Sequence, residues 1–209
     1  MHYFSEVRNV SYNYLALVMP VSMDTLAKFI LACKKSQTGR ESSFKQEFQK
    51  IILFPPDRET LLQAFLFFNA DLFFPECNAL LMYEQTPDLS NQTQLGKCDF
   101  VCLTKRERVM IIETKFIDYN NCGSTARKRR NKHQNKVINQ VLDFRGKLSE
   151  SWSIPMEIID CGVFTTKDLS DRGEYNSVIA KHISIEELNI WQQEEKKKIE
   201  DKVKALSTS

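Results

Sequence analysis

The chain has 209 residues, with 29 Lys and Arg against 27 Asp and Glu for a formal charge of +2. That length can bury a core of its own, and 42% apolar residues including 14 Phe exclude wholesale disorder. The longest clean apolar stretch, Leu15 to Val21, is seven residues and contains Pro20, far short of a bilayer span.

Residues 1–20 read as a strand or arm. A helix is expected from Ser22 to Lys35, with Leu26, Phe29, Ile30 and Cys33 at helical spacing, and Gly39 closes it. Residues 1–40 therefore form an N-terminal helical extension packed on a core domain, 41–209. A second helix runs from Glu41 to Ile52. Pro55-Pro56-Asp57 breaks the chain before a third helix that buries Leu61, Leu62, Phe65, Leu66 and Phe68. Strands follow at Asn78 to Gln85, Gly96 to Thr104 and Val109 to Ile117, the last two apolar enough to be covered on both sides. Next come a basic helix, Ala126 to Leu148, a fourth strand, Met156 to Thr165, and a charged final helix, Ile185 to Leu206, expected to dock on its own domain. This order predicts an α/β fold: a mixed central sheet of about four core strands flanked by helices.

Six cysteines (33, 77, 98, 102, 122 and 161) show no Cys-x-x-Cys pair and no finger-spaced His. They read as buried thiols in a reducing compartment, with Cys98 and Cys102 on one face of their strand. No membrane contact and no export signal are expected, and the cytoplasm is the default location.

The charge is unevenly placed. From Lys105 to Lys136 there are ten Lys or Arg and three acids, a local +7 that leaves −5 for the rest. Such a concentration suits a polyanion.

Asp99, Glu113 and Lys115 interrupt otherwise apolar strands, where a charge costs several kcal/mol unless it is paired or holds an ion. Glu113 and Lys115 share a face. Asp99 joins them only if opposed residue numbers in the hairpin sum to an even number, which needs an odd-length loop near Lys105–Arg108. In that register two carboxylates and the Thr114 backbone carbonyl offer hard oxygen ligands for Mg²⁺ or Mn²⁺. The alternative is a buried ion pair in the Glu113–Lys115 region of a structural or protein-interaction domain.

Asp99, thirteen intervening residues, then Glu113-Thr114-Lys115 in a strand hairpin resembles the signature of the PD-(D/E)XK nuclease superfamily, with its restriction-endonuclease-like fold. The resemblance covers about Glu41 to Thr166. Its "PD" is not literal: Cys98 precedes Asp99, and the literal Pro87-Asp88 sits in a polar loop 25 residues before Glu113. It implies a Mg²⁺- or Mn²⁺-dependent nuclease, a DNA endonuclease first and RNA second, leaving a 5′-phosphate. Asp99, Glu113 and the Thr114 carbonyl would hold the metal and Lys115 would position water. A helix glutamate often joins such sites; Glu59 is the candidate and Glu47 the alternative, each otherwise a surface carboxylate. Gln140 and Phe144 resemble the RecB-like Gln-x-x-x-Tyr element without its hydroxyl, so Phe144 is expected in the core. Arg127, Lys128, Arg129, Arg130, Lys132, His133, Lys136 and Gln140 are the expected nucleic-acid contacts. A homodimer fits a fold whose members often cut two strands in pairs. The alternative function is a non-catalytic nucleic-acid-binding module of the same fold.

Overall fold

The computed structural model describes residues 21–36, 44–85, 97–119, 123–169 and 177–207. Their order is α1 (Val21–Ser36), α2 (Phe44–Leu53), α3 (Arg58–Phe73), β1 (Cys77–Gln85), β2 (Cys98–Thr104), β3 (Val109–Lys115), α4 (Ser124–Trp152), β4 (Ile159–Thr165), β5 (Val178–His182) and α5 (Ile185–Ser207). The five strands form one mixed sheet in the order β1-β2-β3-β4-β5: an antiparallel meander followed by two parallel additions.

Alternation along β3 sorts the core into two layers. Val109 and Ile111 face α1 and α4, meeting Phe29, Val137, Ile138, Val141 and Trp152. Met110 and Ile112 face α2, α3 and α5, meeting Phe48, Leu62, Phe65 and Trp191. The sheet is thus covered on both sides, as its continuous apolar strands require. Phe144 lies in the first layer, as expected, and α5 docks on the second through Leu188, Trp191 and Ile199. The expected 1–40 extension is described only over α1, which packs on the core. Among the described residues no helix is long and apolar enough to cross a membrane.

Helix α3 is positioned by its start. The Asp57 carboxylate accepts from the Thr60 amide at 2.7 Å, a side-chain N-cap. Residues 61–68 are all buried, because neighbouring helices and the sheet enclose it. Near its end Asn69 leaves helical geometry, and its side chain donates to the Phe65 carbonyl at 2.8 Å.

The β2–β3 connection decides the hairpin register. Thr104 N donates to Arg108 O at 2.8 Å, leaving three loop residues with Glu107 at φ 57°. A three-residue hairpin with its last residue left-handed matches the twist of the strands. The odd-length loop gives the even-sum register, with Phe100 opposite Ile112 and Val101 opposite Ile111.

Two expectations need correction. The sheet has five strands, not four: β5 was missed because Ile179 to His182 are exposed, so no apolar alternation marks it. Cys98 and Cys102 do not share a face. Cys98 packs with Val101 in one layer, while Phe100 and Cys102 pack in the other. Strand alternation therefore slips between Cys98 and Phe100, around Asp99, and the β2–β3 ladder begins only at Phe100. Pro87-Asp88 and Cys122 lie outside the described residues.

Gly162 in β4 is a close-approach position. A Cβ there would stand 2.8 Å from Phe74 Cε1 and 3.2 Å from Ile112 Cγ1, both in side chains with no exposure. Gly162→Ala is expected to destabilise the fold by about 1–3 kcal/mol through overpacking, read as a lower midpoint in urea unfolding.

Candidate active site

The slip at Asp99 and the end of β3 bring four ionisable side chains together. Asp99 Oδ2 accepts from the Thr114 amide at 2.7 Å and from the Thr114 hydroxyl at 2.6 Å. Burial raises its carboxyl above the ordinary value; the Thr114 bonds and Gln63 oppose this, and the Glu59 charge adds to it. Glu113 is 7% exposed, and burial first, then the charges of Asp99 and Glu59, push it up to about 8. The Cys98 side chain and the Asp99 amide bond to it and oppose that rise. Burial also drives the Cys98 thiol well above its ordinary range, so it remains a neutral neighbour.

Lys115 is the last residue of β3 and reaches past the strand end to α3, where its ammonium lies 2.7 Å and 2.5 Å from the two Glu59 oxygens. Of the two candidate helix carboxylates, Glu59 is the one that meets Lys115. Glu47, on α2, is felt as a charge by Tyr83.

One turn after Glu59 on the same helix face, Gln63 completes the support. It accepts from the Tyr83 hydroxyl at 2.9 Å and donates to Glu84 at 3.3 Å. A chain of bonds thus runs from Tyr83 through Gln63 to Asp99 and Thr114. Gln63, Tyr83 and the Thr114 hydroxyl were not foreseen. The one available signal was Gln63 itself, the sole polar residue in the buried run Leu61 to Phe68.

The basic half of α4 adjoins this cluster. His133 is held below its ordinary value by burial, then by Lys115, Arg129 and Lys136, with Glu59 opposing. Arg127, Lys128, Arg129, Lys132 and Lys136 are exposed, and Arg130 and His133 half-buried. Gln140 is also exposed, on the stripe of His133 and Lys136 but about 10 Å further along the helix.

The expected metal cage is not preformed. Among the described residues no three His, Cys, Asp or Glu side chains are grouped to hold an ion. The expected sharing of one face by Asp99, Glu113 and Lys115 fails. The slip turns Asp99 to the Thr114 side chain, which alternation places on the α3 face. Glu113 lies on the other face with Cys98, and the two carboxylates feel each other only as charges. Their chemistry nonetheless fits a divalent cation. Burial first, and the neighbouring carboxylate charges second, favour the protonated forms of Asp99 and Glu113, while the Lys115 ammonium is paired with Glu59. Hard oxygen donors short of positive charge are what Mg²⁺ and Mn²⁺ select.

Comparison with protein-family models, curated proteins and solved structures finds no match.

Proposed function

We propose that this chain is a metal-dependent nuclease of the restriction-endonuclease-like fold, hydrolysing phosphodiester bonds in DNA as an endonuclease. The observation that carries the reading is the meeting of Asp99, Glu113, Lys115 and Glu59 beside the basic start of α4.

Asp99 and Glu113 would hold Mg²⁺ or Mn²⁺, with the Thr114 carbonyl and Glu59 as further oxygen donors. The cation supplies Lewis-acid polarisation of a phosphate oxygen and charge neutralisation at the transition state. Lys115 orients the attacking water, and Glu59 fixes where its ammonium sits. Thr114 and Gln63 hold the Asp99 carboxylate in place. Arg127 to Lys136 grip phosphates, which reward charge without sequence information.

A second reading, a non-catalytic binding module of the same fold, is favoured by one arrangement. Lys115 is already clasped by Glu59, and Asp99 Oδ2 already takes two bonds from Thr114. Both readings predict DNA binding that weakens steeply with salt. Replacing Arg127, Lys128, Arg129 and Arg130 by Ala should reduce the slope of log K against log salt by about 2–4, near 0.9 per lost phosphate contact. Supercoiled plasmid and a single-stranded oligonucleotide incubated with Mg²⁺ or Mn²⁺ separate them: cutting of either that EDTA abolishes supports the nuclease, and binding with neither cut leaves only the module.

A further inference from the structure

Beside the carboxylate cluster, between the chain leaving β3 and the first turns of α4, lies a cleft of about 400 Å³. That volume is within the range of small-molecule sites. Its two sides differ in kind. Phe116 and Ile117, directly after Lys115, give an apolar side, and Arg129 and Arg130 give a cationic one beside the His133 imidazole, with Asp118 as the single acid. The Arg58 guanidinium sits 5.2 Å from the centre of the Phe116 ring, a cation–π contact that helps fix the ring's position.

A duplex lying across a surface is gripped through its phosphates, and for that a flat field of cations suffices. A concave site with an aromatic on one side and arginines on the other matches something smaller, with a flat face and an anionic group. One nucleotide has both: bases stack on aromatic side chains, and guanidinium groups pair with phosphate oxygens. A nucleotide can enter such a cleft only when it is unpaired. Because Phe116 adjoins Lys115, an occupant would sit next to the carboxylate cluster.

We propose that this cleft receives one unpaired nucleotide, its base against Phe116 and Ile117 and its phosphate on Arg129 and Arg130. The substrate then has single-stranded character beside the cut, as at a frayed end, flap or loop. The inference rests on the nuclease reading for the cut itself, but the cleft's binding preference stands apart from cleavage.

The test is fluorescence anisotropy in EDTA with a labelled single-stranded oligodeoxynucleotide and its blunt duplex, using the full chain. The single strand should bind at least about tenfold more tightly than the duplex, and thymidine 5′-monophosphate should compete for it. Arg129→Ala should cost the single strand about tenfold, the worth of one charge-assisted hydrogen bond. Phe116→Leu, which keeps the apolar volume, should cost it several-fold. Arg127→Ala, outside the cleft, should weaken both ligands equally. Equal affinity for the two ligands, with Arg129→Ala no worse than Arg127→Ala, overturns the proposal; because Arg129 is exposed, that comparison does not depend on how Phe116→Leu folds. A single-strand preference in a protein that cuts nothing with Mg²⁺ supports the cleft and rejects the nuclease. Cutting of intact duplex as fast as single strand, unaffected by Phe116→Leu, does the reverse.

Discussion

Glu113→Gln is expected to lower Mg²⁺-dependent cleavage of DNA by about 10³-fold, the scale of removing one group that stabilises transition-state charge. The amide matches the carboxylate in shape but carries no charge for a cation. Affinity for DNA in EDTA should change little, because the gripping charges lie on α4, downstream of β3. Lys115→Ala should lose activity to a similar degree for a different reason: the water loses its orienting ammonium and Glu59 loses its partner. Glu59→Gln should be milder, about tenfold, since it alters the placing of Lys115 without removing it. Initial rates on plasmid at saturating Mg²⁺, beside anisotropy in EDTA, separate chemistry from binding. Wild-type rates in both Glu113→Gln and Lys115→Ala would assign any cutting to a contaminant and leave the binding module.

Much of this arrangement was legible because it depends on short-range rules. The alternation of apolar residues in β2 and β3 marked them as buried, which made Asp99, Glu113 and Lys115 conspicuous. The loop around Lys105 to Arg108 limited the register to a few choices, and the three-residue turn with Glu107 left-handed selects the even-sum one. That register starts at Phe100, however, and does not carry Asp99 to the face of Glu113 and Lys115. Helix α4 was legible from its two halves, cationic then apolar.

What escaped the sequence depends on long-range packing or on broken periodicity. The slip between Cys98 and Phe100 leaves no compositional mark, yet it governs how Asp99 meets Thr114. Gln63 meets Asp99 and Tyr83 only once α3 lies over the sheet, and nothing local to α3 fixes that placement. Strand β5 escaped because an exposed strand beside β4 needs no apolar face. Glu59 was legible only as one of two helix carboxylates, and its ion pair with Lys115 is a contact between distant elements.

The stability of the cation-free protein should fall as pH rises from about 5 to about 8, and Glu113→Gln should remove most of that fall. Glu113 goes from an ordinary 4.5 to about 8 on folding, chiefly through burial and then through the Asp99 charge. A folded state that holds the proton more tightly than the unfolded chain is favoured while the proton is on. The contribution is therefore fully present below the unfolded value and is lost progressively as pH climbs through the folded one. With a carboxyl this buried, the full span amounts to about 5 kcal/mol. Asp99, also raised, contributes with the same sign. Urea unfolding in EDTA at about pH 5 and about pH 8 measures the difference, and parallel behaviour of wild type and Glu113→Gln would sink it. Mg²⁺ or Mn²⁺ adds a second readout. A cation held by Asp99 and Glu113 must displace protons near neutral pH, so binding heats should scale with the ionisation enthalpy of the buffer. Its stabilisation should be larger at pH 8, where the carboxylates are already charged, than at pH 5. A cation that stabilises equally at both, with no proton released, would sit elsewhere on the protein.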